Sequence, residues 1–190
     1  MRLTDIAQSW LKESIKAGDI AIDATLGNGF DALFLAQCLG ESGQLFGFDV
    51  QENALQQTQL LLQDEPCRKT FYLQGHEHMT ATLPENIKCN VSVIMFNLGW
   101  LPGSDKSVIT QAKTTISALE QSFSFLAPYG KLSVMVYPGH VGGDTEATEV
   151  IEWMEQYCLK NSSALKLEKI AIPDRPTAPI LLKIQKVFQA

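Results

Sequence analysis

The segment "NVSVIMFNL", residues 90–98, is apolar on both faces that a strand would present. Such a run is stable only where both faces are covered, inside a sheet that carries helices on each side. The rest of the chain supplies what that placement requires, because strand-like and helix-like segments alternate from Asp19 to the end. "DIAIDAT" is a short strand, followed by a glycine loop and by "DALFLAQCLG", a helix closed at Gly40. "GQLFGFDV" is a second strand, "QENALQQTQLLLQDEP" a helix stopped by Pro66, and "TFYLQG" a third strand. After the run at 90–98 come the helix "ITQAKTTISALEQSFSFL", the strand "GKLSVMVYP" and the helix "TEATEVIEWMEQYCLK". Two strands, "ALKLEKIAIP" and "APILLKIQKV", close the chain.

Repeated strand–helix–strand units imply a parallel sheet with helices on both faces. Only "DRPT" joins the last two strands, too little for a crossover, so they pair antiparallel. Leu3, Ile6, Ala7, Trp10, Leu11 and Ile15 repeat at helical spacing and give an amphipathic opening helix. No internal repeat or linker interrupts the pattern. The expectation is one α/β domain over residues 1–190: a doubly wound, seven-stranded, mostly parallel sheet with one antiparallel strand, preceded by an N-terminal helix.

Several function classes fall away on composition. No apolar run approaches the roughly 20 residues that span a bilayer, so a membrane is not expected as a partner. The N-terminus carries acids and bases through its apolar positions, unlike a signal peptide. Cys38, Cys67, Cys89 and Cys158 are widely spaced, with no C-x-x-C pair. Buried thiols in a reducing cytoplasm are therefore expected, without a disulfide framework or metal centre. The net charge of −6 opposes a surface coated for nucleic acid but leaves room for a local basic patch.

"DATLGNGFD", from Asp23 to Asp31, has the outline of a dinucleotide-binding turn, with Asp49 standing 20 residues beyond Gly29, where a ribose-binding acid belongs. Its acids point elsewhere. A pyrophosphate seeks free N–H groups and the positive end of the following helix, and carboxylates at Asp23 and Asp31 repel it. A cationic ligand with a ribose and no phosphate fits better, and S-adenosylmethionine has that chemistry. Gly27 and Gly29 then shape the turn, and Asn28 can donate to the ligand's carboxylate. The plainer alternative is that Asp23 and Asp31 cap a turn and a helix.

Other candidates follow the later strands. Asn97 emerges in "FNLGWLPG" beside the glycine loop, where its side-chain carbonyl can accept from an amine and aim its lone pair toward a methyl donor. Trp100 offers a flat face for a base and is equally readable as core. In "GHEHM", His76 fits beside an adenine or the substrate, His78 reads as structural, and no third ligand makes the pair a metal site. Tyr137 and His140, in "VYPGHVGGD", can shape a substrate pocket. Lys106, Lys113 and Arg175 are the candidates for phosphate contacts. Glu146, Glu149, Glu152 and Glu155, recurring every third residue, read as a solvated helix face.

Taken together, "DATLGNGFD", "FDVQ", "FNLGWLPGSDKSVIT", "VYPGHVGGD" and "DRPTAP" resemble the bacterial YtqB-type proteins, long labelled rRNA methylases. The resemblance covers almost the whole chain in the same motif order, and "NLGxLPGxDK" with "YPGHxGG" is far more specific than a glycine loop. Pro179 followed by Ile180, where the family pattern has adjacent prolines, is a departure. The resemblance implies a Rossmann-like class I methyltransferase fold. It also implies S-adenosylmethionine held by the Asn28 loop, Asp49, Gln51 and the segment at His76, with Asn97 near the transferred methyl. The family includes an enzyme acting on the amine of 5-aminomethyl-2-thiouridine at the tRNA wobble position. The expectation is thus a cytoplasmic N-methyltransferase whose partner is a tRNA anticodon loop, with a homodimer left open. rRNA methylation is the nearest rival; a nicotinamide-dependent oxidoreductase and a non-catalytic S-adenosylmethionine-binding subunit are rivals from other classes.

Overall fold

The structure is a computed structural model that describes residues 2–99, 110–139, 143–173, 175 and 177–187. After helix α1 (Leu3–Lys12), the pattern resolves into β1 (Ile20–Asp23), α2 (Phe30–Leu39), β2 (Gln44–Asp49), α3 (Glu52–Leu61) and β3 (Arg68–Leu73). The short helix α4 (Met79–Thr82) leads to β4 (Val91–Asn97), α5 (Ala112–Phe125) and β5 (Leu126–Val136). Last come α6 (Gly143–Lys160), β6 (Leu165–Ala171) and β7 (Ile180–Lys186). The strands form one seven-stranded sheet in the order β3-β2-β1-β4-β5-β7-β6. β7 runs antiparallel to both β5 and β6, while β1 through β5 pair in parallel.

β4 sits at the centre, as its two apolar faces require. Ile94 and Phe96 pack with Phe48, Leu119, Val150 and Met154 on the face covered by α5 and α6. Val93 and Met95 pack on the opposite face with Leu35 and Leu39 of α2 and Leu55 of α3. α1 continues that second layer, with Leu3 and Ala7 against Met135 and Leu181. Each fully buried side chain of this size contributes about 1.5–3 kcal/mol. Lys131 of β5 is also drawn into this layer. Its Nζ donates to the carbonyl of Trp10 at 2.6 Å and pairs with Glu13 at 3.1 Å, which anchors the end of α1.

Two local departures from the periodicity matter. α3 ends at Leu61, short of Pro66. The crossover from β3 to β4 holds no full helix, only α4 between two tight turns at His76–His78 and Glu85–Ile87. Pro84 ends the helical stretch, and Met79, Leu83 and Ile87 still seal the core from it.

Candidate functional site

Parallel strands bring their carboxyl ends to one edge, and in this sheet the strand order reverses between β1 and β4. A cavity of about 1180 Å³ opens there. Asp49 ends β2, Asn97 ends β4 and Tyr137 follows β5, and all three line it. Gly27, Asn28 and Asp31 line it from the glycine loop and the first turn of α2, joined by Gln51 and His76.

The three acids occupy different settings. Asp49 accepts from the main chain with both oxygens, from Gly27 N–H at 2.9 Å and from Gln51 N–H at 2.9 Å. Asp31 caps no helix. It accepts instead from two side chains, Gln8 Nε2 at 2.7 Å and Asn97 Nδ2, and burial holds its carboxyl above the usual carboxylate range. Asp23 is 1% exposed and lies behind the cavity wall rather than in it. One of its oxygens accepts from Thr25 N–H at 3.0 Å and the other has no partner within hydrogen-bonding distance among the described residues. Burial, and then the neighbouring charges of Asp31 and Asp49, push it up to about 8.

Asn97 is fixed on three sides. Its N–H donates to Thr25 Oγ1 at 2.7 Å, its Nδ2 to Asp31, and its Oδ1 accepts from the Tyr137 hydroxyl at 3.4 Å. A carboxylate accepts and does not donate, so Asp31 commits the amide's NH₂ and leaves the carbonyl to Tyr137 and the cavity. Burial raises the Tyr137 phenol above its usual value, with the Asp31 charge adding to it. His76 is buried, with Nδ1 at 3.1 Å from the carbonyl of Ala24 and its ring tilted against Phe96. Since a carbonyl only accepts, Nδ1 carries the proton and Nε2 is the acceptor. Burial lowers the His76 pKa and favours this neutral form.

Other sequence candidates fall outside the cavity lining. Gly29 faces α3: at φ +80° it lies where a Cβ would meet Thr58 Oγ1 at 2.8 Å, so packing rather than a ligand requires glycine. Arg175 is exposed and does not line the cavity, although Thr177 of the same turn packs on Gly139 at the rim. Lys113 is exposed in the first turn of α5. His78 is exposed beside Glu77. Trp100, Lys106 and His140 lie outside the described residues.

The expected solvated face of α6 breaks at Glu146, which is buried while Glu149, Glu152 and Glu155 are exposed. Glu146 accepts from Thr110 Oγ1 at 2.7 Å and from Thr115 Oγ1 at 3.0 Å. Thr110 in turn accepts from Gly99 N–H at 2.7 Å and donates its own N–H to the Gly99 carbonyl. This clamp joins two residues of the cavity wall, Gly99 and Thr110. A period of three predicts one face for these glutamates, whereas 3.6 residues per turn walks the first of them into the core. The lining also contains Arg2, which precedes α1, Gln8 of α1, and Phe30, 69% exposed at the rim. Nothing in one sequence marks these residues, because the sheet alone brings α1 over the glycine loop.

The residues fit a phosphate-free cation. Gly27 N–H is held by Asp49 and Gly29 N–H by the carbonyl of Leu26, so two of the loop's donors are unavailable to a pyrophosphate. Asp31 and Asp49 add negative charge to the same wall. The reversal-point pocket is common to doubly wound sheets, but the order with β7 inserted antiparallel between β5 and β6 is that of the class I S-adenosylmethionine-dependent methyltransferases.

Residues 45–185 match the model of the family described as "Putative rRNA methylase". The chain is 34% identical over 192 residues to the "tRNA (mnm(5)s(2)U34)-methyltransferase, chloroplastic" of Arabidopsis thaliana, across 95% of this chain and 68% of that protein. Among solved structures it resembles the "putative rRNA-methylase" of Clostridium thermocellum, at 33% identity and a TM-score of 0.91, over 98% of both chains. It also resembles SMU.1697c of Streptococcus mutans, a "putative methyltransferase" solved with SAH, at 30% identity and a TM-score of 0.85, over 98% of this chain and 99% of that one. The chain belongs to the rRNA methylase family and is an S-adenosylmethionine-dependent methyltransferase. Among the described residues, no helix is long and apolar enough to cross a membrane.

Proposed function

We propose that the enzyme methylates the amine of 5-aminomethyl-2-thiouridine at the tRNA wobble position. The observation that carries this reading is the Asn97 amide, whose NH₂ is committed to Asp31 and whose carbonyl is left to Tyr137 and the cavity. A neutral acceptor so placed can take an N–H of an incoming amine and turn its lone pair toward a methyl group. The Arabidopsis relative, named for that tRNA nucleotide, supports the choice of amine.

When bound, S-adenosylmethionine supplies a methyl group on a sulfonium that departs as a neutral thioether. In this reading the spare lone pairs of Asp49 accept from the ribose hydroxyls, Asn28 and Gln51 border the ligand, and His76 Nε2 accepts beside the adenine. Gly27 shapes the turn, and Asp31 faces the ligand's positive charge. Asp23 contributes only at a distance, as a buried acid behind the wall, and Gly29 contributes by letting α3 approach. Asn97 orients the amine, a C–N bond forms as the C–S bond breaks, and the amine's proton leaves to solvent or to His140. Tyr137 and Trp100 border the base, while Lys106 and Arg175 meet phosphates of the anticodon loop. The enzyme works in the cytoplasm; light scattering with and without tRNA decides between monomer and homodimer.

The family's description favours rRNA as a second substrate reading. Purified enzyme incubated with S-adenosylmethionine and each RNA, followed by nucleoside mass spectrometry, separates the two. Methylation of the aminomethyl group in tRNA, with none in rRNA, is the expected result. Methylated rRNA beside unchanged tRNA overturns the substrate assignment.

A further inference from the structure

We infer that Gln8, on α1, is a positioning residue for methyl transfer: it holds the Asp31 carboxylate where that group orients the Asn97 amide. This rests on the reading of Asn97 given above. A continuous set of bonds runs across the cavity wall, from Gln8 Nε2 to Asp31 Oδ1 at 2.7 Å, from Asn97 Nδ2 to Asp31 Oδ2, and from the Tyr137 hydroxyl to Asn97 Oδ1 at 3.4 Å. These four residues come from α1, α2, the end of β4 and the segment after β5, and all of them line the cavity.

Asp31 differs from Asp49 in what holds it. Main-chain N–H groups reach both oxygens of Asp49, so its place is set by the fold of the loop. Among the described residues the two donors on Asp31 are side chains, and one of them is the amide that Asp31 itself must orient. Gln8 is therefore the independent constraint. Without it, the carboxylate can rotate about its χ angles, and Asn97 can turn its carbonyl away from the cavity. Gln8 is free to serve this role because α1 is held by other groups. Leu3, Ala7 and Leu11 are buried, and Lys131 binds the Trp10 carbonyl. Changing Gln8 should leave the helix in place.

Three variants separate hydrogen bonding from packing. Gln8→Glu keeps the size but replaces the donor with an acceptor facing Asp31, Gln8→Ala removes both, and Gln8→Lys restores a donor. Expected is a loss of at least about tenfold in kcat for Gln8→Glu and Gln8→Ala, with the tRNA KM and the S-adenosylmethionine Kd within roughly twofold of wild type. Gln8→Lys recovers most of the loss. A Gln8→Glu enzyme with wild-type kcat overturns the inference. A second readout needs no substrate. The ¹⁵N-labelled side-chain amide of Asn97, assigned by its disappearance in Asn97→Asp, should shift in Gln8→Glu and Gln8→Ala and return toward its original position in Gln8→Lys. An unmoved amide overturns the inference even where methyl transfer proceeds. A shifted amide in an enzyme that leaves tRNA unmethylated upholds the coupling and removes the proposed function instead.

Discussion

The two sides of the cavity share one kind of bond, a side-chain oxygen accepting a main-chain N–H, and differ in what stands behind it. Under β1 and β2, carboxylates at the strand ends hold the loop's main-chain N–H groups, Gly27 and Gln51 on Asp49 and Thr25 on Asp23, with Gly29 N–H on the Leu26 carbonyl. Beyond β4, side chains also bond to one another. Glu146 binds Thr110 and Thr115, Thr110 binds Gly99, and Asp144 Oδ1 accepts from Gly139 N–H at 2.7 Å. Asp23 and Asp49 are the last residues of β1 and β2, so their places are set once the strands pair and the first wall presents a preformed surface. The second wall adds bonds between side chains of separate elements, Glu146 to Thr110 and Thr115, so a substitution there can alter it without disturbing the first. That difference suits one wall for an invariant ligand and the other for choosing a substrate.

The largest effect that tests this contrast is expected at Asp23. Its pKa is raised to about 8 in the folded protein, against an ordinary value of 3.8. The folded state therefore holds a proton that the unfolded state has released, and the stability tied to that proton is present below about pH 4 and is lost as pH rises to about 8. Asp23→Asn mimics the protonated acid and should raise stability by on the order of a few kcal/mol at pH 8, with little change near pH 4. Chemical denaturation across this range checks it. A pH-independent difference between variant and wild type shows that the buried carboxyl is not the titrating group.

Next in size is Asp49→Ala. Removing the acceptor for two main-chain donors should weaken S-adenosylmethionine binding by about 1.5–3 kcal/mol, leaving the fold intact. Calorimetry reads this directly, and an unchanged Kd removes Asp49 from the ribose. The smallest effect is expected for Glu146→Gln. The amide keeps one acceptor but turns a donor toward the threonine hydroxyls, costing about 1 kcal/mol of stability. It should raise the tRNA KM while the S-adenosylmethionine Kd stays within error. Equal losses in both constants would erase the distinction between the walls.

Much of this architecture is legible in the linear order of residues. The run at 90–98 predicts the central strand, and the short link before β7 predicts its antiparallel pairing; both hold in the sheet. The acids flanking the glycines predict a pocket unsuited to diphosphate, and the bonds of Gly27 and Gly29 supply the physical basis. Other features were illegible for identifiable reasons. The crossover after β3 holds only short helical turns, too brief for a helical period to register. Glu146 looks like its exposed neighbours because a count along the chain carries no information about which side of a helix meets the sheet.

Pattern and residue chemistry by themselves determined the sheet, the edge at which a ligand sits and the chemical class of that ligand, because each follows from local periodicity and from charge near a turn. Only the tertiary structure decided which acids face the cavity. Asp23, Asp31 and Asp49 look alike in sequence, but the register of β1 against its neighbours buries the first, α1 captures the second, and the glycine loop folds onto the third. It alone also decided that Gln8 belongs to the site, 23 residues from Asp31 along the chain. Side chains that distant come into hydrogen-bonding range only through tertiary packing, here of α1 beside α2 and against β5 and β7, and no local pattern encodes that contact.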